Sequence, residues 1–294
     1  MGIALTPLGL AASYPLPPLG VDVVGQVQVV TARAHETLLD IARRHNLGHD
    51  EIIQANPGVD RWLPGAGAKV VLPTRYVLPT TERKGIVLNL PEMRLYYYPE
   101  PLPGQTPVVV THPVSIGRAD WRTPLGQTRI TAKQKNPPWY PPASIKAEHA
   151  AAGDPLPDRV PPGPDNPLGD HALRLGLPSY LIHGTNRPFG IGMRVTHGCI
   201  RMYPEDIAAL FDRIPVGTPV TIVNQPVKVG SYLGQPFVEI HTPLDEEGLD
   251  DPITLQDVVA ALKAQGFGPD DPIDLDILMD LMDRANGIAA PLAS

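Results

Sequence analysis

Cysteine is almost absent from this chain, which holds a single one, Cys199, among its 294 residues. One thiol excludes an intramolecular disulfide and says little about the redox compartment. Long apolar runs are also missing, since none reaches the roughly 18 residues that a membrane-spanning helix needs, so we expect no transmembrane segment. No block of lysine and arginine with interleaved aromatic residues occurs either, which argues against nucleic acid as a partner.

Proline, in contrast, is abundant, with 37 residues, more than twice its typical share of about 5%. Together with 27 glycines it indicates many turns and extended segments, and therefore a mainly β fold with a modest share of helix. The net charge of −7 is uneven. From Leu244 onward there are twelve acidic and two basic residues, so this tail carries −10 and the rest carries +3.

The first 24 residues read as a leader and linker. "GIALTPLGLAAS" is apolar and ends in small residues, as the distal part of a secretion signal does, but it lacks a basic region and contains Pro7. We interpret it as an incomplete signal of an exported protein; the alternative is a plain disordered leader. "SYPLPPLG" follows as an extended linker, because three prolines leave little else possible.

Residues 25–78 predict a small α+β module. Alternation of polar and apolar residues over Gln26–Val30 indicates a strand. The apolar residues between Leu38 and Ala42 lie on one helical face. A second short helix should stop at Asn56-Pro57, because the residue before proline resists the α region. "AKVVLP" supplies a returning strand.

Residues 84–224 are rich in strand signals. Ile86–Leu90 and Arg94–Tyr98 predict a hairpin, and "VVVTHPVSIG", "GQTRITAKQ" and "SYLIHG" predict further strands. The long proline-rich stretch between "NPPWY" and "DHAL" reads as a functional loop or lid. A short helix should open at Pro204, and Thr218–Val223 should close the domain as a strand.

Residues 225–294 predict an extension with two acidic amphipathic helices. Thr254 and Asp257 have capping-box spacing, and Gly266 fits the position after the helix end. Residues Asp274 to Ala285 predict a second helix of the same kind. The two apolar faces could pack as a helical hairpin on the main domain or on a partner.

The single cysteine lies in "VTHGCIRM", residues 195–202. A cysteine attacks as thiolate, so it needs a base, and His183 and His197 are both candidates. Gly198 allows a tight turn that could direct backbone N–H groups at a substrate oxygen. Arg201 would share a face with Cys199 in an extended chain and could grip a carboxylate.

Other interpretations of these residues exist. A lone cysteine is often a small buried hydrophobe, and a lone arginine is often a solvated surface charge. His183, His197 and Cys199 could in principle bind a metal, but their spacing matches no common zinc pattern and no fourth ligand is evident. We therefore expect no metal and no cofactor.

The complete string resembles the signature of the L,D-transpeptidase (YkuD-type) catalytic domain. Its His-Gly-Thr falls on His183, Gly184 and Thr185, and its Ser/Thr-His-Gly-Cys-x-Arg falls on the residues from Thr196 to Arg201. The resemblance implies a β-sandwich-like catalytic domain, in which Cys199 is the nucleophile, His183 the base and His197 a supporting residue. It also implies substrate-binding roles, held by Arg201, Gly184, Thr185, Thr196 and Gly198.

By the same resemblance, the reaction is acyl transfer on peptidoglycan stems. Cys199 attacks the carbonyl of the third residue, a diamino acid such as meso-diaminopimelate, D-alanine leaves, and an amine or water takes the acyl group. Carbapenems would then acylate the thiol. The alternatives are a cysteine hydrolase that cuts stems and a non-catalytic peptidoglycan-binding scaffold.

Two narrower resemblances extend the picture. Residues 25–78 resemble a LysM module, which binds peptidoglycan or chitin glycan; the alternative is an accessory domain without a ligand. "EMRLYYYP", "GPDNPLG" and "FGIG" resemble the periplasmic members of the family that attach the Braun lipoprotein to peptidoglycan. An outer-membrane lipoprotein or another envelope protein is then a candidate acceptor, and the periplasm or cell envelope the expected location.

Overall fold

The computed structural model describes residues 12–244 and 252–293. The start of the expected leader and part of the acidic run after Leu244 lie outside these residues. The fold is mainly β, as the composition predicts. Across the two described ranges, no helix is both long and apolar enough to cross a membrane.

An α+β unit forms the N-terminal part of the fold. After β1 (Ala12–Pro15), which belongs to the main sheet, its elements are β2 (Val23–Gly25), β3 (Gln28–Thr31), α1 (Leu38–Arg44), α2 (His49–Gln54), β4 (Lys69–Leu72) and β5 (Arg75–Val77). Thr37 caps α1 in a capping box with Asp40. The buried side chain of Asn56 bonds the N–H and C=O of Val71 at 2.7 and 2.8 Å. Asn56 thus ties the end of α2 to the returning strand.

A closed sheet forms the main domain. Its elements are β6 (Gly85–Asn89), β7 (Arg94–Tyr98), β8 (Val108–Gly117), β9 (Gly126–Lys135), α3 (Ala143–Ala151), β10 (His171–Leu175), β11 (Leu181–His183), β12 (Arg194–Thr196), β13 (Ile200–Met202), α4 (Pro204–Arg213) and β14 (Pro219–Val223). The strand order is β8-β13-β11-β10-β9-β14-β6-β7, and β7 pairs back with β8. The expected sandwich-like sheet therefore closes on itself around one apolar core.

Two segments of this region differ from the sequence-based expectation. The expected linker contains β1, which pairs antiparallel with β8 from Ala12 to Pro15. Proline fits there because β1 pairs on one side only. The expected proline-rich loop contains α3, whose Ile145 is buried. A run of alanines between prolines is a weak apolar pattern, so the helix had no clear periodic signal.

The C-terminal extension is more than the two expected helices. Its elements are β15 (Val227–Tyr232), β16 (Gln235–Ile240), α5 (Leu255–Ala264), α6 (Leu275–Arg284) and β17 (Ala290–Pro291). The Thr254–Asp257 capping box is present, so this prediction is confirmed. The three strands form a separate sheet that the sequence reading missed. Leu233 and Gly234 turn the hairpin with φ of 53° and 77°, a type I′ geometry without its usual Asn-Gly signal.

The N-terminal unit contacts the segment that leads into the candidate site. The first N–H groups of α2, on His49 and Asp50, donate to the carbonyls of Ile191 and Gly192 at 2.8 and 3.2 Å. A Cβ on Gly192 would lie 2.4 Å from the Cα of Gly48. Only glycine allows this close approach. The approach places α2 against the segment just before β12.

Candidate active site

Adjacent strands place the candidate catalytic side chains on one face of the sheet. β11 and β13 are parallel, with His183 opposite Arg201. Because alternate side chains of a strand share a face, Cys199 lies on the same side as Arg201. The intervening Ile182 and Ile200 point the other way, into the core. The sheet thus separates catalytic chemistry on one face from apolar packing on the other.

A cleft of about 520 Å³ lies over this face. It is lined by five of the residues predicted from the sequence: Cys199, His183, His197, Thr196 and Arg201. The opposite wall comes from the proline-rich segment, including Trp139, Tyr140 and Leu168. This segment therefore covers the site, as expected for a long functional loop.

His183 is buried, and its orientation is set by the backbone. Its Nδ1 lies 2.7 Å from the carbonyl oxygen of Gly184. Burial lowers the pKa of His183 to about 3, and the positive charge of Arg201 adds to this effect. The ring is therefore neutral near pH 7. With Nδ1–H donating to Gly184, Nε2 carries the lone pair that can accept a proton.

Cys199 lies just before β13 and is partly exposed to the cleft. Its Sγ–H donates to the carbonyl oxygen of Ser179, with an Sγ···O distance of 3.6 Å. Burial raises the pKa of the thiol, and the backbone of Leu181 and the charge of Arg201 counteract this only in part. The resting pair is therefore a neutral thiol and a neutral imidazole.

Arg201 enters the cleft without an ionic partner among the described residues. Its Nε is buried and has no hydrogen-bond acceptor. Burial also lowers the pKa of this guanidinium. A desolvated arginine without a carboxylate is poised to bind an anionic group of a ligand.

Two threonines hold the turn that carries the cysteine. Thr196 Oγ1 accepts from the N–H of Gly198 at 3.2 Å and donates to the carbonyl of Cys199 at 2.6 Å. Thr123 Oγ1 accepts from Gly117 N–H at 3.0 Å and donates to the carbonyl of Gly198 at 2.8 Å. The N–H of Gly198, one of the backbone donors that the tight turn was expected to direct at a substrate oxygen, is thus engaged by Thr196.

Gly198, Gly184 and Thr185 do not line the cleft. Gly198 has φ of +96°, and a Cβ there would lie 2.8 Å from the ring of Tyr180. Gly184 provides the carbonyl that orients His183, and Thr185 Oγ1 accepts from the N–H of Arg187 at 2.9 Å. Their positions favour roles in shaping the turns around the site.

His197 is directed away from a role as the base. Its Nε2 lies 2.9 Å from Glu148 Oε2 on α3, and its ring packs edge-on against Trp121. Glu148 also accepts from Arg118 at 2.6 Å. Hydrogen bonds from Arg118 and then His197 lower the pKa of Glu148. His197 therefore links the cysteine turn to the proline-rich segment.

Sequence reasoning assigned no role to Glu148, Thr123 or Asn166. Asn166, within "GPDNPLG", is fully buried and donates to the carbonyls of Pro137 and Pro161 at 2.8 and 3.1 Å. It holds the proline-rich segment together, and its Oδ1 also accepts from the N–H of Leu168 at 2.9 Å. For Asn166, the only indication in the sequence was a polar residue next to proline within a proline-rich segment.

One cluster of described residues has the spacing of a metal site: Glu92, Glu239 and His241. The ammonium of buried Lys228 lies between the two carboxylates, at 2.8 and 2.7 Å. The positive charge that a metal would bring is thus already supplied by the chain. We interpret the cluster as an internal ion-pair network.

Comparison with known proteins decides the family. The YkuD model, described as the L,D-transpeptidase catalytic domain, matches residues 83–222. The chain is 41% identical over 292 residues to "Probable L,D-transpeptidase YcfS" of Escherichia coli strain K12, covering 97% of this chain and 90% of that protein. The chain belongs to the L,D-transpeptidase family. It is an enzyme with a cysteine transpeptidase domain, and that domain contains Cys199, His183 and Arg201.

Two further relatives from the same strain agree with this membership of the L,D-transpeptidase family. "Probable L,D-transpeptidase ErfK/SrfK" is 46% identical over 239 residues, covering 80% of this chain and 76% of that protein. "Probable L,D-transpeptidase YbiS" is 41% identical over 292 residues, covering 96% and 92%. The similarity to YbiS and YcfS extends beyond the catalytic domain into the N-terminal unit and the C-terminal extension.

Proposed function

We propose that this L,D-transpeptidase acts on tetrapeptide stems of peptidoglycan and transfers an acyl group through a thioester on Cys199. The observation that carries the proposal is the juxtaposition in one cleft of the single thiol, a neutral imidazole and an unpaired guanidinium. The thiol supplies the nucleophile, His183 the base and Arg201 the anchor for a carboxylate of the stem.

The proposed first half-reaction begins with a proton transfer. His183 Nε2 takes the thiol proton, because Nδ1–H is engaged with the Gly184 carbonyl. The Cys199 sulfur attacks the carbonyl carbon of the third stem residue, and the C–N bond to D-alanine breaks. His183 returns the proton to the leaving amine. With the Gly198 N–H bound to Thr196, the N–H of Cys199 is the proposed donor to the oxyanion.

In the second half-reaction an amine attacks the thioester carbonyl and loses a proton to His183, the C–S bond breaks, and His183 gives that proton to the Cys199 sulfur. Proposed acceptors are a lysine of an envelope protein, such as an outer-membrane lipoprotein, or the diamino acid of another stem. We also propose that the protein is exported to the periplasm or cell envelope, and that the N-terminal unit binds glycan as a LysM module does. Export of the enzyme to the cell wall would bring it to its substrate.

The test is incubation of the wild-type protein and Cys199→Ala with purified tetrapeptide muropeptides. We expect D-alanine release and a covalent acyl adduct in the intact mass of the wild type, and neither in Cys199→Ala. A second incubation adds a lysine-ended peptide, so that transfer is distinguished from hydrolysis by product mass. D-alanine release by Cys199→Ala at the wild-type rate would exclude Cys199 as the nucleophile.

A further inference from the structure

A second arginine, Arg174 on β10, is exposed and lines the same cleft. Arg174 lies opposite Leu181 of β11, and Leu181 precedes Ile182, the partner of Ile200. The row Arg174, Leu181, Cys199 therefore crosses three neighbouring strands. With a strand spacing of about 4.8 Å, the Cα of Arg174 lies roughly 10 Å from that of Cys199. Its side chain is long enough to reach a ligand bound at the thiol.

Arg174 also lines a second cavity of about 170 Å³ next to the cleft. Four residues line both spaces, namely Arg174, Leu181, Pro138 and Leu168. No aspartate or glutamate is among the described residues that line either one. The two adjacent cavities thus form an environment with positive charge and no carboxylate, which favours an anionic ligand.

The guanidinium of Arg174 is free within the part of the chain that the structure describes. It has neither a hydrogen bond, nor an ion pair, nor an aromatic contact there. Lys133, the other cation of the second cavity, is engaged: its Nζ donates to the carbonyl of Ile214 at 2.8 Å and lies over the ring of Phe211. Arg174 and Arg201 are therefore the two unpaired guanidinium groups that line the cleft.

Their different distances from the thiol suit two different carboxylates of one stem. Arg201 is two residues along the same strand from Cys199, about 7 Å away. Arg174 is further, on the second strand across. In a tetrapeptide whose third residue is diaminopimelate, the carboxylate of the leaving D-alanine is close to the attacked carbonyl. The side-chain carboxylate of diaminopimelate lies several bonds further out.

We propose that Arg174 binds the side-chain carboxylate of the diamino acid at position three of the donor stem, while Arg201 binds the nearer carboxylate. Arg174 is then the residue that selects diaminopimelate over lysine, which lacks this carboxylate. The inference rests on the proposed function for the identity of the stem. Arg174 contributes substrate specificity, because a planar guanidinium holds a carboxylate by paired hydrogen bonds.

The experiment measures binding separately from turnover. Calorimetric titrations of Cys199→Ala use three tetrapeptides that carry at position three diaminopimelate, diaminopimelate with an amidated side-chain carboxylate, or lysine. We expect the free carboxylate to bind about 10- to 100-fold more tightly, the range for hydrogen bonds to charged groups. Adding Arg174→Gln should abolish this preference. Adding Arg129→Gln, which removes an exposed arginine of β9 outside both cavities, should preserve it.

Two outcomes overturn the proposal: Cys199→Ala shows no preference among the stems, or the preference survives Arg174→Gln. A parallel assay of D-alanine release, with Cys199 intact, separates this inference from the proposed function. A preference that depends on Arg174, in a protein that releases no D-alanine, would support the carboxylate site and reject the reaction.

Discussion

At the residue scale, the catalytic pair rests uncharged. Burial raises the pKa of Cys199 and lowers that of His183 to about 3. The thiol is held by the Ser179 carbonyl, which favours the protonated form. Activation therefore requires proton transfer to His183 when a substrate is bound, in contrast to a preformed thiolate-imidazolium pair.

The neutral pair predicts the pH dependence of Cys199 alkylation by iodoacetamide. We expect an inflection above about 8.5, the usual thiol pKa, and no inflection from His183 between pH 5 and 7, because His183 stays neutral there. Arg201→Gln should move the inflection higher, since the Arg201 charge lowers the thiol pKa. Arg201→Lys keeps the charge and should move it less. A wild-type inflection below 8.5 would contradict a neutral resting thiol.

At the scale of elements, α3 connects the cover of the cleft to the cysteine turn. Glu148 of α3 contacts His197 beside Cys199 and Arg118 after β8. These groups are partly exposed, so each ion pair contributes modestly. Because the two contacts reach separate loops, we infer that Glu148 keeps the proline-rich segment closed over the site.

Glu148→Gln should loosen this cover without unfolding the domain. We expect faster amide hydrogen exchange in α3 and a KM for the stem that rises at most about fivefold, in keeping with exposed ion pairs. Asp158→Asn is the matched control, because its pair with Lys146 lies in the same segment and Asp158 is 95% exposed. Equal rates of amide hydrogen exchange in α3 for Glu148→Gln and the wild type would show that the Glu148 contacts do not hold the cover closed.

At the scale of the whole molecule, a buried ionic network joins the three units. Lys228 of β15 donates to the carbonyl of Val77 in β5 at 2.8 Å, and it contacts Glu92, between β6 and β7, and Glu239 of β16. Burial alone would raise the pKa of Glu239, but Lys228 and His241 hold it below its ordinary value. The C-terminal extension is therefore integrated with the barrel and the N-terminal unit.

Lys228→Met should destabilise the whole protein, because it leaves two carboxylates buried without their cation. We expect a loss of about 3–5 kcal/mol in the free energy of unfolding, measured by urea denaturation as one shared transition. Replacing the carboxylates too, in Lys228→Met/Glu92→Gln/Glu239→Gln, should recover part of that loss. A single substitution within about 1 kcal/mol of the wild type would mean that the network contributes little.

The sequence by itself determined the features with local causes. The β6–β7 hairpin, the capped helices α1 and α5, and the helix opening at Pro204 follow from alternation, capping residues and proline. The motif around Cys199 identified the family and five of the residues that line the cleft. Patterns of this kind act over a few neighbouring positions, so they can be read without knowing what packs against them.

Only the tertiary structure decided how distant residues meet. His197 is nearer to Cys199 in sequence, yet Glu148 of α3 holds it, while the Gly184 carbonyl aims His183 from β11. The register of β10, β11 and β13 brings Arg174 into the same cleft as Cys199. The β15–β16 hairpin lacks the usual Asn-Gly turn, and nothing local indicates the link from Lys228 to Glu92. Strand register and buried ion pairs depend on contacts between remote segments, which only the folded chain brings together.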